Sequence, residues 1–131
     1  MSAKYGLLGR RLSHSFSPMI HNMLCGCDYE LIEREPEELS DFFARGEYDG
    51  FNVTIPYKKA VIPYMAELSD AARRCGSVNT VVRRDDGTYF GDNTDFYGFS
   101  VMLAESGIDV RGKKVLVLGN GGVAPTVHEV L

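Results

Sequence analysis

The chain of 131 residues has no tryptophan, only three cysteines and no excess of positive charge. Each shortage excludes something. Lys and Arg number 14 against 18 Asp and Glu, for a formal charge of -4, and no basic face is evident. A protein built mainly to hold nucleic acid would show one. An anionic small substrate would therefore have to be held by local hydroxyls, amides and one or two cations. No apolar run approaches the ~20 residues that a membrane helix needs, and the amino terminus lacks a signal-peptide pattern. Cys25, Cys27 and Cys75 are an odd count, Cys25-Gly26-Cys27 is not C-x-x-C, and no Cys/His pair sits at zinc spacing. No metal is expected, and free thiols in a reducing cytoplasm are the simplest account. With 44% hydrophobic and 24% charged residues the chain is ordinary globular material, long enough for one sizeable core.

Helical and strand patterns alternate. Lys4 to Gly9 reads as a first buried strand, and residues 10–17 as a loop. Ser17-Pro18 reads as a helix start, with Ser as the cap and Pro at the first helical position. Met19, Ile20, Met23 and Leu24 form that helix's apolar face, and Gly26 ends it. Tyr29 to Ile32 is a second strand. Pro36-Glu37-Glu38 opens a helix whose buried stripe is Leu39, Phe42 and Phe43 and whose stop is Gly46. The strand Gly50 to Thr54 is halted by Pro56, which cannot donate to a ladder. A helical stretch from Tyr57 should kink or restart at Pro63. Ser69-Asp70 caps a short helix ending at Gly76, and Asp85-Asp86-Gly87 joins two strands as a hairpin. A helix follows from about Asp95 to Glu105, with Phe96, Phe99 and Leu103 on one side and Gly107 as its cap. The pattern predicts an α/β fold: a mixed, mostly parallel open sheet with flanking helices. After a linker at 108–114, Val115 to Leu118 reads as a strand buried on both faces, which marks a second domain over 108–131 after a first over 1–107.

Five stretches could carry chemistry. Asn52-Val53-Thr54-Ile55-Pro56-Tyr57-Lys58 brings a hydroxyl and an ammonium together at a strand end, where α/β proteins place ligands; its bland reading is a strand stop and a solvated lysine pair. Ser15 and Ser17 precede a helix amino terminus, a setting that suits a carboxylate, although Ser17 alone could simply be a cap. Asn79, in Ser77-Val78-Asn79-Thr80, can donate to and accept from a hydroxyl, or serve turn chemistry. Asp95, in Gly91-Asp92-Asn93-Thr94-Asp95, is either a helix cap or the partner that holds Lys58 for proton transfer. Gly119-Asn120-Gly121-Gly122-Val123-Ala124 follows the apolar strand and enters a helix, the layout that receives a pyrophosphate. His21 and His128 have no partner in ligand or relay spacing and read as structural.

H-S-F-S-P at 14–18, N-V-T-I-P-Y-K at 52–58, S-V-N-T at 77–80, G-D-N-T-D at 91–95 and the late G-N-G-G together resemble the shikimate dehydrogenase family, in its order and over essentially the whole chain. The resemblance implies a reversible, NADP(H)-dependent reduction of 3-dehydroshikimate to shikimate by a cytoplasmic monomer or homodimer. It assigns Ser15 and Ser17 to the substrate carboxylate. Thr54, Asn79 and Asp95 go to the ring oxygens, Lys58 with Asp95 to proton transfer, and Gly119 to Ala124 to the cofactor. It also implies a six-stranded mixed sheet in the substrate domain. Two departures stand out. Arg11 replaces a common Pro, and Phe96-Tyr97 stand where Gly is usual, with T-D-x-x-G spacing kept by Gly98. A quinate-preferring dehydrogenase and a non-catalytic binder of shikimate-like acids are the alternatives. The chain stops at Leu131 within a unit that needs more than ~30 residues, so a truncated nucleotide domain is expected.

Overall fold

The computed structural model describes residues 3–131. Six strands form one sheet: β1 (Tyr5–Gly9), β2 (Tyr29–Glu33), β3 (Gly50–Val53), β4 (Glu67–Leu68), β5 (Thr80–Arg83) and β6 (Tyr89–Asp92), in the order β2-β1-β3-β5-β6-β4. β1 runs parallel to both β2 and β3, and β4 parallel to β6. β5 is antiparallel to its neighbours β3 and β6, across the Asp85-Asp86-Gly87 hairpin. The sheet is thus mixed and mostly parallel, as the alternating pattern predicts.

Leu8 of β1 and Phe51 and Val53 of β3 are buried, because both strands lie inside the sheet. One face is covered by α2 (Leu39–Arg45), which buries Leu39, Phe42 and Phe43 as its spacing requires. Phe42 meets Phe51 edge-on at 5.2 Å, and Phe43 meets Tyr89 edge-on at 5.2 Å and stacks on Tyr64 at 4.3 Å. Edge-to-face pairs of this kind add about 0.5–1.5 kcal/mol each beyond area burial. α3 (Asp70–Cys75) starts as predicted: the Ser69 hydroxyl accepts from the Ala72 N–H at 3.0 Å, and Gly76 closes it with φ of 58°.

Several local expectations are corrected. In α1 (Ser17–Cys25) the cap position is Phe16, Ser17 is already helical, and Pro18 follows. The side-chain bond at this end comes from Ser15, whose hydroxyl accepts from the Ser17 N–H at 3.2 Å. The apolar face of α1 is not packed: Met19, Ile20, Met23 and Leu24 are all exposed. No α-helix forms from Tyr57. Residues 55–61 make successive turns, and Pro63, which brings no N–H, sits in a single 3₁₀ turn at Ile62–Tyr64. β4, two residues long at the sheet edge, is too short to leave a periodic signal. α4 (Thr94–Glu105) is capped by Asn93, whose side chain accepts from the Phe96 N–H, and not by Asp95; at its other end Ser106 takes the cap position expected of Gly107.

Val115 to Leu118 is not a buried strand. No neighbour among the described residues takes its backbone groups, and Val115, Leu116 and Leu118 are exposed. The last element, α5 (Ala124–Val130), packs beside α3 and α4 through an Arg74–Glu129 ion pair at 2.6 Å and a bond from Asn93 Nδ2 to Thr126 Oγ1 at 3.2 Å. Cys25 and Cys27 are joined as a disulfide where free thiols were expected; Gly26, at φ of 62°, bends the chain and brings their Cα atoms to 5.3 Å. Cys75 is a free, buried thiol, and burial raises its pKa. No helix among the described residues is long and apolar enough to cross a membrane.

Candidate active site

The site grows from the carboxyl end of β3. The Val53 N–H donates to the Asn79 carbonyl (2.8 Å) and the Thr54 N–H to the Leu8 carbonyl (2.9 Å), so β3 is held on both sides up to its last residue. The chain then turns through a cis Ile55–Pro56 bond, and the Tyr57 N–H closes on the Thr54 carbonyl at 2.9 Å. The Tyr57 ring is buried and its hydroxyl donates to the Arg34 carbonyl; burial raises that hydroxyl's pKa. With Tyr57 anchored, Lys58 is fixed at its backbone too, where its carbonyl accepts from the Val78 N–H at 2.7 Å.

Lys58 Nζ donates to Asp95 Oδ2 at 2.6 Å. The Lys58 side chain is only 14% exposed and that of Asp95 35%, so this pair is worth more than a solvated surface bridge. Thirty-seven residues separate the two, and the cap of α4 explains how they meet. Asn93 is fully buried; its Oδ1 accepts from the Phe96 N–H, and its Nδ2 donates to the Ser77 carbonyl and hydroxyl at 3.1 and 2.8 Å. Because Asn93 does the capping, the carboxylate of Asp95 is left free for Lys58.

Asn79 clamps the residue before Asp95. Its Oδ1 accepts from the Thr94 N–H at 2.8 Å, and its Nδ2 donates to Thr94 Oγ1 at 2.9 Å. Thr80 Oγ1 also donates to Asn79 Oδ1, at 2.9 Å. The amide is therefore largely engaged within the protein, with one N–H left for a ligand.

Ser15 and Thr54 share a separate wall. Together with Arg10, Arg11, His14 and Pro56 they line a cleft of about 630 Å³. Gly9 lets that wall close up, since a Cβ there would stand 2.6 Å from Leu12 Cδ2 and 2.9 Å from Thr54 Cγ2. Ser17, Asn79, Lys58 and Asp95 do not line this cleft. Two clusters result, Ser15 with Thr54 and Lys58 with Asp95 and Asn79, tied by the five-residue loop from Thr54 to Lys58. Sequence reasoning did not single out Arg10 or Arg11 as site residues, although both border this cleft. Both are paired with Glu35, at 2.8 and 3.0 Å, and their only signal was adjacency to the serine loop.

Gly119 (φ of 115°) through Val123 form an exposed loop that enters α5, where Ala124 is buried. A Cβ added at Gly121 or Gly122 would meet nothing within 4 Å, so the backbone of this loop is open to close approach by a ligand.

Residues 7–81 match the family model described as the shikimate dehydrogenase substrate binding domain. The chain belongs to that family. Among curated relatives it is 44% identical to the shikimate dehydrogenase (NADP(+)) of Clostridium beijerinckii, over 94% of this chain and 48% of that protein. The solved shikimate 5-dehydrogenase of Thermus thermophilus in complex with NADP(H) and shikimate superimposes with a TM-score of 0.83 at 34% identity, covering 98% of this chain and 51% of that one. The ligand-free 5-ketofructose reductase of a Gluconobacter strain gives 0.81 at 28% identity, over 98% and 49%. The chain spans about half the length of the curated relatives it matches.

Proposed function

We propose that this chain is the substrate-holding part of an NADP(H)-dependent shikimate dehydrogenase, which interconverts 3-dehydroshikimate and shikimate. Residues 1–107 form the substrate domain, and 108–131 begin the nucleotide domain. The observation that carries the reading is the shielded Lys58–Asp95 pair at 2.6 Å, within a chain of this family. Lys58, as the ammonium, stands ready to protonate the oxygen that develops where the substrate carbonyl is reduced; in reverse, its amine takes the hydroxyl proton. Asp95 keeps the ammonium aimed and takes part in holding the ring oxygens. A proton donor placed in this way contributes typically ~10²–10⁴-fold. Ser15, in the cleft bordered by Arg10 and Arg11, and Ser17, outside that cleft at the first turn of α1, are the residues assigned to the carboxylate. Thr54 and the remaining Asn79 N–H bind ring hydroxyls.

The open glycine loop, Gly119, Asn120, Gly121 and Gly122 with Val123 and Ala124, fits the approach of a phosphate to backbone N–H groups. Bound NADP(H) supplies or accepts the hydride.

The test is the complete protein with shikimate and NADP+, followed by nicotinamide absorbance. Shikimate-dependent reduction of NADP+ supports the proposal, and its absence with intact protein sinks it. Comparing kcat/KM for shikimate and quinate decides between these acids, because Phe96 and Tyr97 add bulk beside Asp95. Calorimetric binding of shikimate with no turnover by the complete protein would favour the non-catalytic reading instead.

A further inference from the structure

A second cluster lies at the carboxyl end of α1, outside the residues assigned to the substrate. His21, Cys25 and Cys27 place a ring nitrogen and two sulfurs all within 4.8 Å of one another. Helical spacing sets Cys25 one turn after His21, and the left-handed Gly26 folds Cys27 back onto the same spot. Both sulfurs face one carbonyl: Cys25 Sγ is 3.0 Å and Cys27 Sγ 3.8 Å from His21 O. The His21 ring is not free to swing, because it stacks on Tyr29 at 3.9 Å with planes 4° apart. Tyr29 is itself held by a bond from its hydroxyl to Asn52 Oδ1 at 2.6 Å. Cys25 is exposed, and His21 and Cys27 are half-buried. The cluster borders a cleft of about 540 Å³ against β1, β3 and β5, so it is reachable from solvent.

We propose that the dithiol form of this cluster is a binding site for a thiophilic d¹⁰ metal ion, such as Zn²⁺, held by His21, Cys25 and Cys27. Thiolate and imidazole are the ligand types that select such ions. With Zn–S near 2.3 Å and Zn–N near 2.0–2.1 Å, tetrahedral donors stand roughly 3.4–3.8 Å apart, so once the disulfide is opened, rotation of the two cysteine side chains about the fixed His21 ring brings the three to one ion. Three protein ligands leave the fourth position to water. The position also suits a cation, since the carbonyls at a helix carboxyl terminus carry partial negative charge. Binding is written as two thiols plus Zn²⁺ giving a bis-thiolate zinc centre and two protons, with no change of oxidation state. The disulfide form cannot bind, so the site is loaded only after reduction of the Cys25–Cys27 bond by a thiol or phosphine.

The test uses the intact protein, stripped of metal and kept in a phosphine reductant, titrated with Co²⁺ as a spectroscopic probe and then with Zn²⁺ in competition. The proposal predicts one ion per chain, a sulfur-to-cobalt charge-transfer band that Zn²⁺ abolishes, and release of protons into weak buffer. Cys27→Ser should weaken binding more than tenfold and lower the band, and His21→Ala should weaken binding more than tenfold with the band's thiolate character kept. Cys75→Ala should change nothing. These cysteines and the histidine are not core residues, and circular dichroism of each variant confirms the fold. Reduced protein with no charge-transfer band, or a band that survives in the Cys25→Ser, Cys27→Ser double variant, overturns the proposal.

Discussion

Replacing Asn93 with Ala tests the way α4 is anchored. Asn93 is fully buried and does two separate things. It caps α4 through the Phe96 N–H, and it ties that cap to Ser77 and Thr126 through its amide N–H groups. Losing an Asn cap costs about 1 kcal/mol. Leaving the Ser77 carbonyl and the two hydroxyls short of a partner in a buried space adds about 1–3 kcal/mol. The total, about 2–4 kcal/mol, is a large part of a typical stability of about 5–15 kcal/mol. With a urea slope of roughly 2 kcal/mol per molar, the unfolding midpoint should fall by about 1–2 M. Asn93→Asp separates the two contributions: it keeps the acceptor for Phe96 but turns an acceptor toward the Ser77 carbonyl, so it should recover less than half of the loss. A midpoint shift below about 0.3 M for Asn93→Ala, at an unchanged slope, would refute the reasoning.

Three further outcomes follow from named contacts. Gly9→Ala drives a Cβ into Leu12 and Thr54; it should cost about 1–3 kcal/mol in a denaturation series, and under the proposed function it should raise KM for shikimate more than it lowers kcat. The Tyr29 and Tyr48 hydroxyls are pushed up to about 12, mainly by burial, with Glu30 adding to the shift at Tyr48. A tyrosine titrates near ~10 when unfolded, so their contribution is complete below pH ~10 and is lost as pH rises toward about 12; a urea midpoint that stays flat across that interval would contradict this. Ser69→Ala removes the cap of α3 and should lower stability by about 1 kcal/mol, measured by thermal or urea unfolding.

What could be read from the residues depended on how far each signal reaches. The alternating strands and helices, the Asp85-Asp86-Gly87 hairpin, the Leu39, Phe42 and Phe43 stripe and the Ser69 cap are local patterns, and each recurs in the structure. Where two neighbours could do one job, a local pattern does not choose between them. Ser17 reads as the cap of α1, a position that Phe16 takes, and for Asp95 the sequence leaves a cap or a Lys58 partner open, of which Asn93 takes the cap. Val115 to Leu118 has strand composition but no neighbour to pair with among the described residues, and composition cannot supply one. The meeting of His21 with Cys25 and Cys27 was missed because it depends on the left-handed Gly26. The Lys58–Asp95 contact spans 37 residues. No spacing rule reaches that far; only the sheet order and the Asn79 and Asn93 clamps bring the two together.

The most direct measurement of the central claim is kcat for shikimate oxidation by the complete protein carrying Lys58→Met, which keeps the side chain's length and removes its proton. The account predicts a loss of roughly 10²–10⁴-fold in kcat with KM changed far less. Turnover within about twofold of the unaltered protein would show that the Lys58 ammonium does not carry the proton.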